Sequence, residues 1–215
     1  MKFTKLAIAS VAGLCAATAA ADFDLQITEI WMGNEPGSNL SEDWIEITNF
    51  GTMTWTAAID GDLWFDDVSA DTGDAALMSG VPSIAPGESV IFVDGGATGA
   101  ANWLTLWGFG GQVGSYEGAG LGQGGDAVAI WISAGIPVGS PDDFEAYPDA
   151  NLNGGQSWDV VLGAFSTVGN LSNAFATGTV NDEGQPAIGS PGTIPAPGSL
   201  ALLGLGGLAA ARRRR

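Results

Sequence analysis

Short apolar segments with a period of two alternate with turn-forming residues along most of this chain. The pattern predicts strands of about five to eight residues. The predicted strands cover residues 25–31, 44–48, 63–65, 90–93 and 127–132. The turn formers between them lie at residues 34–38, 49–51, 85–87 and 122–125. This spacing indicates an all-β sandwich or barrel.

Three stretches depart from this pattern. Residues 100–107 fit a helix or a strand, and the sequence leaves both open. Residues 110–125 contain eight glycines, which predicts a flexible loop between strands. Residues 184–198 are rich in Pro and Gly and are predicted to be a tether.

Alternation within the segment 45–48 predicts which side chains face the core. Ile45 and Ile47 are expected to point inward, and Glu46 and Thr48 toward water.

The amino terminus has the three parts of a secretory signal peptide. Lys2 and Lys5 precede an apolar run over residues 6–17, and small residues follow. This order predicts cleavage after Ala21, with Ala19 as the other small residue of the site. Residues 1–21 would leave with the signal, and a buried helix is the alternative.

The carboxyl terminus combines a Pro195-Ala196-Pro197 motif, an apolar run over residues 200–211, and Arg212, Arg213, Arg214 and Arg215. A helix of about 12 residues is about 18 Å long, against about 30 Å of hydrocarbon in a bilayer. Such a segment crosses a membrane only marginally. The arginines favour a cytoplasmic end, which places residues 22–194 outside the inner membrane.

This carboxyl-terminal segment, residues 194–215, resembles the PEP-CTERM sorting signal of Gram-negative bacteria, with Ala196 where that motif usually has Glu. The resemblance implies recognition by an exosortase-type protease, cleavage near the motif, and delivery to the cell envelope, the cell surface or the extracellular polysaccharide matrix. A permanent weak anchor is the alternative.

The charge of residues 22–194 limits the partners of the predicted domain. All 24 acidic residues lie there and all six basic residues lie outside, so this part carries a formal charge of −24. Such a surface repels nucleic acid and anionic lipid. Cations, basic proteins and neutral or cation-bridged polysaccharide remain compatible. Eight Trp residues argue against disorder of the domain.

Five motifs in residues 22–193 resemble the lamin-tail domain. They lie at residues 25–30, 42–49 (Glu-Asp-Trp-Ile-Glu-Ile-Thr-Asn), 84–92, 125–130 and 155–157, and the chain closes with Gly-Ser-Pro-Gly-Thr at 189–193. The resemblance implies an immunoglobulin-like β-sandwich, here flanked by an N-terminal signal helix and a short C-terminal apolar helix. Trp158-Asp159 stands where the family has Arg.

Composition argues against catalysis by this domain. It contains no His or Lys, and Cys15 leaves with the signal peptide, so nucleophilic catalysis lacks its usual groups. Carboxylate pairs such as Glu42 with Glu46, or Asp66 with Asp67, are the remaining candidates for glycoside hydrolysis. Acidic residues are so common here that any such pair is uninformative, and we expect no enzymatic activity from this domain.

Calcium is the cofactor that clustered oxygen ligands suggest. Asp149, Asn151 and Asn153 match the first half of an EF-hand loop, but the closing position is Val160 instead of Glu. Calcium affinity is then expected to be weak, or residues such as Asp142, Asp143 or Glu145 complete the site. A solvated turn is the alternative, and a second acidic stretch at residues 60–74 is interpreted as a solubilising loop.

The eight Trp residues are predicted to lie mainly in the core and at its rim, with Trp55 the first candidate for contact with a glycan. The sequence thus favours an exported, non-enzymatic binding or scaffolding domain. A carbohydrate-binding module is the first alternative and a secreted hydrolase the second.

Overall fold

The computed structural model describes residues 22–33 and 40–193, and strands form most of its regular structure. In chain order the elements are β1 (Leu25–Trp31), β2 (Trp44–Asn49), β3 (Trp55–Thr56), α1 (Ala57–Asp60), β4 (Asp62–Asp66), β5 (Ala76–Met78), β6 (Ser83–Ile84), β7 (Ser89–Asp94), α2 (Gly96–Trp107), β8 (Val113–Tyr116), β9 (Asp126–Ser133), β10 (Asp143–Tyr147), β11 (Trp158–Asp159), β12 (Ala164–Phe165), β13 (Phe175–Val180) and β14 (Pro186–Gly189). The all-β class is confirmed.

The strands form two principal sheets. The larger has six strands in the order β12-β11-β1-β2-β7-β8, antiparallel except for the parallel pair β7 and β8. The smaller has four antiparallel strands in the order β10-β9-β4-β5. Two further strand pairs, β3 with β6 and β13 with β14, lie outside these sheets.

The main core lies between the two principal sheets. Alternate residues of the larger sheet, such as Ile45, Ile47 and Phe92, share one buried cluster with Phe65 and Ile130 of the smaller sheet. A period of two brings these side chains to one face of each strand, so Ile45 and Ile47 point inward as predicted.

The other face of the larger sheet is also covered. Trp31 and Trp44 lie in a second buried cluster with Trp103 and Trp107 of α2 and Ala187 of β14. The larger sheet is therefore a middle layer, with the smaller sheet on one side and α2 with the β13–β14 hairpin on the other.

Residues 96–107 resolve the choice that the sequence left open, in favour of a helix. Its ends are set by Gly95 and Gly108, whose φ angles of 83° and 63° lie in the left-handed region. The Gly108 amide donates to the carbonyl oxygen of Leu104 at 2.9 Å, which closes the last turn.

Two predicted flexible segments contain strands. The glycine-rich loop 110–125 includes β8, which pairs with β7. The predicted tether 184–198 includes β14, which pairs with β13. Both predictions were wrong in these parts because pairing with a neighbouring strand supplies order that composition does not reveal.

The predicted signal helix and the short C-terminal apolar helix lie outside the described residues. Within residues 22–33 and 40–193, no helix combines the length and the apolar character needed to cross a bilayer.

Candidate functional site: a buried row of carboxyl groups

Three acidic side chains lie side by side across three neighbouring strands of the larger sheet. Glu29 of β1 is in register with Asp159 of β11 on one side and with Glu46 of β2 on the other. Only 1% of Glu29, 1% of Glu46 and 2% of Asp159 is exposed. Acidic residues are rarely buried so completely without a cationic partner, which makes this row the most unusual feature of the domain.

A β-bulge in β1 brings an additional hydroxyl group to the row. Ile27 pairs with Ile47 and Glu29 with Glu46, so Thr28 is the extra residue on β1. The Thr28 hydroxyl donates to Oε1 of Glu46 at 2.6 Å and lies 3.0 Å from Oγ1 of Thr48.

The prediction that Glu46 and Thr48 face water was wrong. Both are buried, because α2 and the β13–β14 hairpin cover the face of the sheet that the alternating pattern assigns to solvent. A strand in a sheet covered on both faces buries both sets of alternating side chains.

Glu29 accepts hydrogen bonds from three serines. The hydroxyl groups of Ser157 and Ser166 donate to Oε1, the latter at 3.4 Å. Ser190 donates twice, through its backbone amide to Oε1 at 2.8 Å and through its hydroxyl to Oε2 at 3.2 Å. Serine hydroxyl groups and a backbone amide therefore supply the hydrogen bonds that a cationic side chain would otherwise donate.

The other two carboxyl groups are bonded in the same manner. Oε2 of Glu46 accepts a hydrogen bond from the backbone amide of Gly192. Asp159 accepts from the hydroxyl of Ser172 and from the amide of Leu162, the latter at 2.9 Å.

Residues 189–192, Gly-Ser-Pro-Gly, form a closing segment over Glu29 and Glu46. The local structure favours glycine at both Gly189 and Gly192. A Cβ atom on Gly189 would lie 3.1 Å from Oε1 of Glu29, 3.1 Å from the ring of Trp107 and 3.2 Å from Oγ of Ser157. Gly192 has a φ of +78° and lies against the ring of Phe109. Larger residues would push the segment away from the carboxyl groups.

Burial is the main cause of raised pKa values in the row. It raises the pKa of Glu29 to about 8, with a further contribution from the neighbouring charge of Glu46. It likewise raises the pKa of Glu46 to about 7, where the bonds from Thr28 and Gly192 act in the opposite direction. Residues 6–211 contain no Lys, Arg or His, so no cation in that range lowers either pKa value.

An aromatic cluster of Trp31, Trp44, Trp103 and Trp107 lies on the same side of the sheet as the row. Neighbouring rings are 5.5–6.3 Å apart between centroids. Among the described residues, no hydrogen-bond partner accepts from the four indole N–H groups. The carboxyl row thus borders a buried, apolar layer.

The carboxylate pairs that the sequence suggested for hydrolysis do not form an accessible pair. Glu42 is exposed whereas Glu46 is buried. Asp66 is buried and accepts from the Ser69 hydroxyl at 2.6 Å and from the Asp71 amide at 2.7 Å. Asp67 accepts from the Ser69 amide at 2.8 Å. The last two carboxylates shape a loop.

The predicted calcium ligands lie in a locally bonded turn. Oδ1 of Asp149 accepts from both the backbone and the side-chain nitrogen of Asn151, each at 2.8 Å, and the Asn153 amide donates to the carbonyl of Ala150 at 2.9 Å. In residues 22–33 and 40–193, no three or more His, Cys, Asp or Glu side chains are grouped to hold a metal ion. Calcium binding stays a prediction.

The prediction of Trp55 as a glycan contact requires an exposed side chain, but Trp55 is buried. Only 1% of its surface is accessible, and it belongs to the main core. It does line a groove of about 360 Å³ with Asp62, Leu77 and Ser79. A second groove of about 410 Å³ shares Leu77 and Ser79 and is lined also by Tyr116 and Glu117.

Most Trp residues are buried, as the sequence analysis expected, and Trp64 and Trp158 are half-buried. The residues of the signal cleavage site, Ala19 and Ala21, lie outside the described residues. So do Pro195, Ala196, Pro197 and Arg212–Arg215 of the predicted sorting signal.

The sequence analysis missed Glu29 and Asp159. A usable signal exists: Glu29 and Glu46 each lie inside an apolar strand, in a stretch without any basic residue, and a Gly-Ser-Pro-Gly motif stands at residues 189–192. What the sequence lacks is the register that aligns the three acids.

Comparison with known proteins identifies the tail as a sorting signal. Residues 193–215 match the model of the PEP-CTERM protein-sorting motif. The match supports export and sorting by an exosortase-type system to the bacterial cell envelope. No curated protein and no solved structure matches this chain.

Proposed function

We propose that residues 22–193 form a non-catalytic binding or scaffolding domain that an exosortase-type system delivers to the cell surface or the extracellular polysaccharide matrix of a Gram-negative bacterium. The observation that carries the proposal is the position of the sorting motif, which begins at residue 193. The last side-chain contact before it, from the Gly192 amide to Glu46, is one residue earlier. The folded domain is therefore the cargo of the sorting signal.

A lamin-tail-like sandwich is part of this proposal. The motif at residues 42–49 contains β2, a strand in the middle of the larger sheet, and the motif at 84–92 leads into β7 beside it. The segment 125–130 begins β9, and the Gly-Ser-Pro-Gly motif closes over the sheet. Three of the five motifs thus contain or lead into strands of the two principal sheets, which supports the proposal.

A binding or scaffolding role is favoured by the hydrogen bonding of the buried carboxyl groups and by the net negative charge of residues 22–194. The buried carboxyl groups accept hydrogen bonds from internal hydroxyl and amide groups, as a structural network does. Residues 22–194 contain 24 acidic and no basic residues. Neutral or cation-bridged polysaccharide and basic proteins are partners that such a surface accepts.

The test is fractionation of cells that produce the full chain. We expect the domain in the envelope or outside the cell, and accessible to added protease. A variant with Pro195→Ala and Pro197→Ala should accumulate unprocessed, whereas Pro137→Ala and Pro148→Ala, which lie outside the motif, should leave sorting unchanged. Retention of the native chain in the cytoplasm would refute the proposal.

Carbohydrate binding is a second candidate, favoured by the two grooves beside β5. Exposed Leu77 and Ser79 line both grooves, whereas the lining residues Trp55 and Tyr116 are themselves buried. An open groove with apolar and polar lining suits a neutral sugar.

Retention of the protein on immobilised neutral exopolysaccharide tests this second candidate. Ser79→Ala removes a hydroxyl group that lines both grooves, so it should weaken retention. Ser140→Ala, at an exposed serine outside both grooves, is the matched control. Equal retention of both variants and the native protein would exclude Ser79 as a contact, and absence of retention would exclude this polysaccharide as a ligand.

A further inference from the structure

The segment that leads into the sorting motif is attached to the domain through the buried carboxyl pair. The backbone amide of Ser190 donates to Glu29 at 2.8 Å, and the amide of Gly192 donates to Glu46. The Thr193 amide then closes a turn onto the Ser190 carbonyl at 2.9 Å. Two carboxyl groups on adjacent strands therefore hold the final residues before the motif.

This attachment limits how far the motif can lie from the domain. Residues 193–197 are five residues, and an extended chain spans at most about 3.3–3.6 Å per residue. The chain length thus limits Pro197 to at most roughly 18 Å from Gly192. A protease that cuts near Pro195–Pro197 must work within that distance of the folded surface, unless residues 189–192 detach first.

The elements around Glu29 and Glu46 supply no cationic side chain, so protonation is the way in which this pair loses its charge. The ionisable neighbour on β11 is Asp159, itself acidic. The elements α2, β12, β13 and β14 contain no ionisable residue. On β7, the Ser89 hydroxyl lies 2.6 Å from Oγ1 of Thr48, and the acidic Asp94 is at the opposite end of the strand.

Ionisation of both groups would place two negative charges on directly opposed, buried residues. Like charges at such a position destabilise a strand pair, and a buried ion without a counter-ion is costly. The amides of Ser190 and Gly192 favour the ionised carboxyl groups, but burial raises both pKa values more than these bonds lower them. Detachment of residues 189–192, whose amides are bonded to both groups, would admit water to them.

We propose that Glu29 and Glu46 form a protonation-dependent clamp on residues 189–192, which holds the sorting motif close to the domain when the pair is neutral and releases it when the pair ionises. The proposal rests on the proposed function, because it assigns a regulatory role to the junction between the cargo domain and its sorting signal. The clamp itself is a property of the folded domain and is testable without the sorting machinery.

Amide hydrogen exchange of the purified full chain, followed by ¹⁵N NMR from pH 6 to 9, tests the clamp. After correction for intrinsic exchange rates, protection of the Ser190 and Gly192 amides should fall at least tenfold with rising pH. The Ile91 amide, bonded to the Gln112 carbonyl at 3.1 Å in the sheet, should stay protected, which separates local release from global unfolding.

Matched variants identify the groups responsible. Glu46→Gln, a neutral residue of the same shape, should remove most of the pH dependence at Gly192, and Glu183→Gln at the exposed turn before β14 should leave it unchanged. Ser157→Ala removes a donor that favours ionised Glu29, so it should move the release to higher pH. This variant also serves if Glu46→Gln fails to fold.

The proposal is overturned if Ser190 and Gly192 keep constant protection from pH 6 to 9 in the native chain, or if Glu46→Gln and Ser157→Ala leave the pH dependence as it was. In cells, Glu46→Gln should slow processing of the tail at alkaline external pH relative to the native chain. If amide protection depends on pH as expected but the protein stays in the cytoplasm, the proposed function is refuted and the clamp is not.

Discussion

Single residues of this domain show how buried acids are accommodated without cations. Glu29 receives four hydrogen bonds, from Ser157, Ser166 and both donors of Ser190. Each bond offsets part of the cost of burying a polar group. The remaining cost is met by protonation, which is what the raised pKa values of Glu29 and Glu46 express.

Stability should therefore decline as the pH rises from about 4.5 to about 8. The pKa values of about 8 for Glu29 and about 7 for Glu46 exceed the ordinary 4.5. Below pH about 4.5 both states bind these protons; between that pH and the folded pKa only the folded state does, so stability falls by up to about 1.4 kcal/mol per pH unit and group. Thermal unfolding at each pH measures the decline.

Burial also raises the pKa of Asp143 and of Glu145. Variants are therefore needed to separate the contribution of Glu29 and Glu46 to the pH dependence of stability from that of these other acids. Glu29→Gln with Glu46→Gln should flatten the pH profile, while Glu183→Gln should keep it. An unchanged slope in the double Gln variant would show that other groups cause the decline.

Gly189→Ala is expected to destabilise the domain by about 1–3 kcal/mol, the usual cost of overpacking. The added methyl group would meet Glu29, Trp107 and Ser157 at once. Gly178→Ala on β13, where a Cβ atom would meet nothing within 4 Å, is the control. Urea unfolding of both variants measures the difference, and equal stabilities would argue against the close packing of the closing segment.

At the scale of elements, α2 and the β13–β14 hairpin decide the environment of the acids. Gly95, Gly96 and Gly99 lower the helix propensity of this region, and Gly99 is required because a Cβ atom would collide with the Asp94 carbonyl. The helix is held by packing of Trp103 and Trp107 against the larger sheet. Its existence was ambiguous in the sequence because tertiary contacts, more than local propensity, stabilise it.

Trp103→Ala should destabilise the domain by about 3–5 kcal/mol, the range for deletion of a large buried aromatic side chain. Trp103 is 1% exposed and contacts the rings of Trp44, Trp107 and Phe109. Leu104→Ala, on a residue that is 38% exposed, should cost much less. Chemical denaturation measures both, and a similar cost for the two would contradict the docking of α2 described above.

For the whole molecule, the dominant electrostatic property is a surface of one sign. With 24 acidic and no basic residues in 22–194, no attraction between opposite charges offsets the repulsion within this part of the chain. High net charge favours solubility and opposes the compact state.

Added salt should therefore raise the melting temperature. The Debye length falls from about 30 Å at 0.01 M to about 3 Å at 1 M ionic strength. We expect a rise of ~2–4 °C for each kcal/mol of repulsion that is screened, measured by thermal unfolding at constant pH in sodium chloride. A melting temperature that is independent of salt would show that the charges are too well solvated to affect stability.

The sequence alone determined the all-β class, the buried faces of Ile45 and Ile47, the sorting signal at the carboxyl terminus and the absence of basic residues, because these follow from local periodicity, motif order and composition. Tertiary structure alone decided that Glu46 is buried, that α2 is a helix, and that Trp55 lies in the core. It also aligned Asp159, Glu29 and Glu46 in one row. Those features depend on strand register and on which layer covers each face of the sheet, and both arise from contacts between residues far apart in the chain.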